Sequence, residues 1–292
     1  MYYNRQTREI ENPDEGGQKA LEVLYNTKGG RFVLWSVAAR PWFSELIAKY
    51  HRSALSHKDI APFIKKNKMK ICPKKASEEY ATFNDFFTRK KNVRWDSDES
   101  ILISPATSKV QVFPITDNLR LRIKGTTYSI GDILGSDVDA QSFKNGTCLV
   151  FRLSVDDYHR YHYIDDGRYL GVYKIPGELH TVRPISEKYG VFARNTRVVN
   201  MFETEHFGRV AQIEIGALLV GKIINHSIAP FFKRGQEKGY FEFGGSTIVM
   251  LMNKEIEFDE DIQWFSDLGV EVKVTAGERI GRIKEATNEQ NK

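Results

Sequence analysis

The sequence predicts an α+β protein: N-terminal helices followed by a mainly antiparallel, sandwich- or barrel-like β body. Three observations carry this. Early in the chain, Phe32, Trp35, Ala39, Trp42, Phe43, Leu46, Ile47 and Tyr50 recur at three- and four-residue steps, the period of a helix with one apolar stripe. From Ile101 onward the texture changes to short apolar or alternating runs separated by turn signals, which read as strands. Those runs do not alternate with long helical stretches, so a parallel βα architecture is excluded.

In chain order, residues 1–16 read as extended or loose, ending in a Pro-Asp-Glu-Gly-Gly turn signal at 13–17. Pro41 divides the helical stripe and opens its second helix, where a missing N–H does no harm. Arg31, Arg40, Lys49 and Arg52 flank the apolar face. Two readings of that helix stand: an interfacial helix in lipid headgroups, or a helix packed on its own protein. Residues 57–75 are rich in lysine and read as a solvated helix end and loop. Phe83 to Arg89 reads as a short helix, with Phe86 and Phe87 as core residues. Strands are predicted at 101–103, 110–113, 119–123, 147–153, 169–173, 197–202 and 209–215, with a helical turn at 129–134. Residues 270–281 read as a strand, a turn and a return. The expected division is a helical region at 1–80, the candidate for membrane contact, and a β-rich domain at 81–292.

The bulk properties narrow the class. The 292 residues are 41% hydrophobic and 28% charged, ordinary for a folded globular chain. Cys72 and Cys148 make neither a disulfide framework nor a metal motif. The first residues lack the apolar core of a signal peptide, and no run is long enough to cross a membrane. A net charge of +5 suits an anionic membrane surface. Nucleic acid is not expected, because the basic residues are dispersed and no binding motif is present.

Two segments carry chemistry. Phe243-Gly244-Gly245-Ser246-Thr247 precedes the apolar run Ile248 to Met252. A Gly-Ser junction is open enough for a serine hydroxyl to attack the carbonyl before it, and glycine tolerates the strained backbone this needs. An ordinary turn into a strand is the plain alternative. Asp156-Asp157-Tyr158-His159-Arg160-Tyr161-His162 sets two imidazoles three apart. In an extended segment they face opposite ways, so a shared metal site is disfavoured and one histidine is better suited to acid–base work.

In order and spacing, these segments resemble the phosphatidylserine decarboxylase family. The likeness covers nearly the whole chain and is strongest from Phe83 to Ile283. It includes Phe83 to Arg89, Ser104-Pro105-Ala106, Asp157 to Arg160, Gly177 to Val182, Phe192 to Asn195, Gly216 to Gly221 and Gly235 to Thr247. The Gly-Gly-Ser-Thr form is similar to a bacterial branch.

The resemblance implies a proenzyme. Ser246 attacks the carbonyl of Gly245, the chain is cut between them, and Ser246 becomes a pyruvoyl group. That covalent cofactor, with no metal, forms a Schiff base with phosphatidylserine and draws off carbon dioxide. His162 matches the histidine of the processing triad and His159 a neighbouring one. The implied partners are phosphatidylserine, an anionic membrane surface, the α and β chains of its own cleavage, and a homodimer. The implied location is peripheral, on the cytoplasmic face of the membrane.

One position departs from the family. Its triad aspartate follows Ser-Pro-Ala, where this chain has Thr107. A threonine hydroxyl can accept an imidazole N–H but carries no charge to stabilise an imidazolium. Loss of that charge costs about four orders of magnitude in Ser-His-Asp hydrolases. Slow processing, another carboxylate standing in, or a decayed or engineered precursor are each compatible. Asp156 and Asp157 read as poor substitutes, because the branch carries them alongside the usual aspartate. Two rival functions follow: decarboxylation of a soluble amino acid at the same site, or an inactive lipid-binding homologue.

Overall fold

The computed structural model describes residues 1–12, 18–123, 126–218, 222–226, 229–244 and 246–284. Helices fill the N-terminal part at Gln18–Asn26, Lys28–Val33, Pro41–His51, Ile60–Lys66, Pro73–Glu79 and Phe83–Phe87, with a π-helical turn at Leu34–Ala38. Local chemistry sets their starts. The Thr27 hydroxyl accepts from the Gly30 N–H, as an N-cap does. Pro41 occupies the first turn of its helix, after an extended Arg40, as the residue before proline prefers. Thr82 and Asp85 form a reciprocal capping box for Phe83–Phe87, each satisfying an otherwise orphaned backbone donor.

The body is a ten-stranded sheet. From one edge its strands are Phe231–Phe232, Gly167–Ile175, Arg197–Thr204, Gly208–Ile215, Ser246–Met252, Thr147–Leu153, Ser108–Pro114, Glu271–Val274, Tyr2–Asn4 and Glu9–Glu11. One neighbouring pair is parallel, Tyr2–Asn4 beside Glu271–Val274; the rest are antiparallel. Arg160–His162, Glu237–Phe241 and Ile223–Asn225 form a small second sheet. The long sheet ends in two edges, so the body is layered and not a closed barrel.

Both faces of the sheet are covered. Ile248, Met250 and Met252 enter one apolar cluster with Leu149, Phe151 and Tyr161. Val249 and Leu251 enter another with Cys148, Val150 and Ile213. This explains the unbroken apolar run after Ser246, since a strand buried on both faces has no polar side. A third cluster joins Ile60, Ile64 and Ala76 to Phe83, Phe86 and Phe87, so packing is continuous across residue 80.

Three local expectations change. Residues 1–12 are not loose: Tyr2–Asn4 and Glu9–Glu11 extend the main sheet. Their 3-residue length hides them from a pattern search. Residues 270–281 do not make a hairpin, because Glu271–Val274 joins the main sheet while Arg279–Ile283 pairs with Ile101–Ile103 and Ile256–Phe258. Helix Glu260–Asp267 is an addition to the predicted elements, its stripe too short to stand out.

Between the main and small sheets lies a buried ion pair. Lys238 Nζ is 3.0 Å from Glu214 Oε1, both side chains fully buried. Asn225 Oδ1 accepts from the same Nζ at 2.5 Å, and Asn200 Nδ2 donates to Glu214 Oε2 at 2.7 Å. Removing one buried partner strands the other charge, at about 3–5 kcal/mol. Lys238→Met alone therefore loses stability of that order in urea unfolding. Lys238→Met with Glu214→Leu recovers most of it, and equal losses in the two variants would contradict the pairing.

Candidate active site

Ser246 opens a central strand, opposite Leu153 on the neighbouring strand, and is fully buried. The chain leaving Leu153 turns at Ser154, where the Asp157 N–H donates to the Ser154 carbonyl at 2.9 Å. That short loop returns His159 to the nucleophile: Ser246 Oγ lies 3.4 Å from His159 Nδ1. The His159 carbonyl accepts from the Phe241 N–H at 3.0 Å, tying the histidine to the strand that leads into the glycine pair.

The far side of the ring settles its tautomer. His159 Nε2 lies 3.0 Å from the Ser154 carbonyl oxygen. A carbonyl can only accept, so Nε2 carries the proton. Nδ1 is then a lone pair directed at the serine hydroxyl, as a general base requires. Burial pushes the His159 pKa down to about 3, against the opposing pull of Asp157 and the Ser154 carbonyl. The ring is therefore neutral at any ordinary pH.

Aromatic packing holds this pair dry. The Phe87 ring stacks on His159 with centroids 4.1 Å apart. Phe243 packs on Phe87 at 5.2 Å, Phe83 at 5.1 Å and His51 at 4.5 Å. Gly244 has φ 138°, a region that side chains avoid, so the first glycine of the pair is the one whose described backbone requires glycine. Gly245, the predicted acyl partner, lies outside the described residues.

The two predicted histidines are not equivalent. His162, predicted as the base, is buried, and among the described residues its Nδ1 has no hydrogen-bond partner. Its backbone N–H donates to the Pro105 carbonyl at 2.9 Å, and its ring stacks near Tyr158 with centroids 6.3 Å apart. Among the described residues no hydrogen bond joins it to Ser246; His159 takes that place. The physical reason is the turn at Ser154, which carries the first imidazole of the motif back over Ser246, while the small sheet begins at Arg160 and holds the second.

Thr107 does not orient either imidazole. Its hydroxyl accepts from the Ala276 N–H at 3.1 Å. Among the described residues, no hydrogen bond joins the Thr107 hydroxyl to His159 or His162. Glu242 forms an ion pair with Arg52. Asn195 braces a turn, its amide donating to the carbonyls of His180 and Gly216 and its oxygen accepting from the His180 N–H. The two ring nitrogens of His180 meet Tyr25 Oη and the Glu178 carboxylate. Ser154, His51 and the stacking role of Phe87 were outside the sequence prediction. Each acts through proximity across many residues, and local spacing carries no trace of that.

The shell suits a small uncharged carbonyl group at residue 246. It offers a neutral imidazole and apolar rings. Among the described residues, no group of three His, Cys, Asp or Glu side chains could hold a metal ion.

Comparison with known proteins bears on this arrangement. The family model described as phosphatidylserine decarboxylase matches residues 83–282. The chain is 46% identical over 288 residues to phosphatidylserine decarboxylase proenzyme 2 of Clostridium acetobutylicum, covering 97% of this chain and 98% of that protein. It is 39% identical to the phosphatidylserine decarboxylase proenzyme of Clostridium tetani, covering 96% and 97%. The corresponding protein of Clostridium beijerinckii is 38% identical over 96% and 97% of the two chains.

A base held neutral down to pH about 3 stays deprotonated across the mild acid range. Precursor unfolded in urea and refolded at different pH values should cleave at a nearly constant rate from pH 8 to pH 5. A base with an ordinary pKa near 6.5 would lose about thirtyfold by pH 5. Gel densitometry of the two fragments distinguishes these profiles.

Proposed function

Since the chain belongs to the phosphatidylserine decarboxylase family, we propose that it is a proenzyme that cuts itself between Gly245 and Ser246. It then converts phosphatidylserine to phosphatidylethanolamine and carbon dioxide. The observation that carries this reading is the buried Ser246 hydroxyl facing the unprotonated nitrogen of a neutral His159.

His159 Nδ1 takes the Ser246 hydroxyl proton as Oγ bonds to the Gly245 carbonyl carbon. The Gly245–Ser246 C–N bond breaks, the freed nitrogen receives the proton, and an ester joins the two residues. Loss of the Ser246 α-proton expels the Gly245 carboxylate. Water then replaces the nitrogen, which leaves as ammonia, and residue 246 ends as the ketone of a pyruvoyl group. That ketone supplies the sink for the electron pair released as carbon dioxide departs. His159 stands beside it to hold or return a proton, and the Phe87 and Phe243 rings exclude water from the reacting atoms.

Thr107 does not argue for an inactive homologue. In the described structure the histidine at Ser246 takes its orientation from Ser154, so no carboxylate at position 107 is needed to set the tautomer.

A lipid substrate, rather than a soluble amine, is favoured by the helix Pro41–His51. Its buried positions include the small Ser44 and Ala48, while Trp42 and Leu46 are each 57% exposed. Phe32 and Leu55 nearby are also exposed. A helix that turns small residues inward and large apolar ones outward, with Arg40 and Lys49 exposed beside them, suits an anionic lipid surface. No helix among the described residues is long and apolar enough to cross a membrane. We propose a peripheral location on the cytoplasmic face, as the family resemblance implies, with the exposed apolar side of Pro41–His51 toward the lipid.

Mass spectrometry of purified protein should find chains 1–245 and 246–292, the smaller blocked to Edman degradation and reactive to a hydrazide probe. A single chain retaining serine at position 246 would reject the reading. Trp42→Ser with Leu46→Ser should lower flotation with phosphatidylglycerol vesicles by at least about tenfold, because each side chain contributes roughly 1.5–3 kcal/mol when buried. Undiminished flotation would remove this helix from the membrane contact.

A further inference from the structure

Beside the nucleophile lies a cavity of about 610 Å³ that the cleavage chemistry leaves unused. Thr196, Val198 and Gly216 form its floor. Trp42 and Glu45 of the helix Pro41–His51 form one wall, and Lys222 and Ile223 another. Lys174 stands exposed at its rim. A mostly apolar hollow with a few polar groups is the usual form of a ligand site.

The sheet register places this cavity on the face that carries Ser246. Lys174 pairs with Val198, Val198 with Glu214, and Glu214 with Ile248. Side chains paired across a sheet share one face, and along a strand that face recurs at every second residue. Ser246, two residues before Ile248, therefore shares it with Val198 and Lys174. Continued one residue past the pair Ile215 and Thr247, the register sets Gly216 beside Ser246. The cavity floor thus begins one strand spacing from the nucleophile, about 5 Å away.

That distance matches the lipid headgroup. In phosphatidylserine four bonds separate the amine nitrogen from phosphorus, roughly 5 Å when extended. An amine bonded at residue 246 carries the phosphate over Gly216 and into the cavity. Lys222 is placed to meet it. Its Nζ lies 3.3 Å from Glu45 Oε2, with the side chain 49% exposed. Such a half-exposed ion pair is weak, so the ammonium can turn to a second anion. Glu45 then keeps Arg52, whose Nη1 donates to Glu45 Oε1 at 3.1 Å. The walls are fixed by the backbone. The Glu242 N–H donates to the Lys222 carbonyl at 3.0 Å, and the Leu179 N–H to the Ala39 carbonyl at 3.0 Å.

We propose that this cavity takes the phosphodiester of the lipid substrate, with Lys222 as the phosphate-binding residue and Lys174 as a second cation at the rim. Trp42 marks the side on which the acyl chains leave toward the membrane. The inference rests on the reading of the chain as a phosphatidylserine decarboxylase that reacts at residue 246. It assigns to Lys222 the discrimination against free serine, which has the same amine and carboxylate but no phosphate.

Steady-state kinetics of the self-cleaved protein on dibutanoyl phosphatidylserine, which dissolves without a bilayer, separates phosphate binding from membrane docking. Lys222→Met should raise KM at least about tenfold, the scale of a lost hydrogen bond to a charged group. Its kcat should be nearly unchanged, as for a contact made equally in the ground and transition states. Lys222→Arg should restore most of the affinity. Lys254→Met makes the same charge change beyond the far end of the strand that Ser246 opens and should alter neither constant. Inorganic phosphate should inhibit the parent competitively, and the methionine variant at least about tenfold more weakly. An unchanged KM in Lys222→Met, a fall in kcat alone, or an equal rise in KM with Lys222→Arg or Lys254→Met would overturn the inference. Weaker phosphate inhibition with KM unchanged would mark a site for free phosphate and overturn it for the lipid. The underlying reading fails separately, if the self-cleaved parent releases no carbon dioxide from the same substrate.

Discussion

The site depends on one imidazole held in one tautomer in a dry shell. His159 can accept the Ser246 proton only because its other nitrogen already donates to the Ser154 carbonyl. Burial makes the neutral ring the stable form, and the same burial makes an unpartnered ring nitrogen costly. The two demands fit together. A buried imidazole with one nitrogen bound to a carbonyl is satisfied only if the other meets a donor, and the serine hydroxyl is that donor.

The rest of the fold serves this contact. The central position of Ser246–Met252 fixes the nucleophile between two long strands. The return from Leu153 brings the base over it. Phe83–Phe87 supplies the ring that covers the base, and the capping box at Thr82 and Asp85 fixes where that helix begins. The helix with the outward apolar face reaches the same place from the other side. Its last residue, His51, packs on Phe243, and Arg52 pairs with Glu242. The helix with the exposed apolar face and the segment leading into the glycine pair are thereby joined through the adjacent residues His51 and Arg52.

Much of this was legible in the sequence. The helical stripe, the division at Pro41 and the strands around Thr147–Leu153 and Gly208–Ile215 follow from apolar period and turn chemistry, which are local properties. Ser246 was legible through the order and spacing of the family segments, since a Gly-Ser junction by itself is as readily an ordinary turn into a strand. The contact of Ser246 with His159 was not. It rests on a turn at Ser154 whose signal is a contact across three residues, not a motif. The edge strand Tyr2–Asn4 was hidden for a related reason: its partner, Glu271–Val274, lies at the other end of the chain. The contact of Asp157 with Lys273 was hidden in the same way, because the two lie more than a hundred residues apart. Composition and period carry none of these long-range pairings.

The most direct measurement compares self-cleavage in two single variants, His159→Ala and His162→Ala, each checked for folding by its melting curve. With His159 as the proton acceptor, the His159→Ala protein stays one chain for days, while His162→Ala still yields two. Fragments from folded His159→Ala at the rate of the unsubstituted chain, with His162→Ala uncut, would contradict the account.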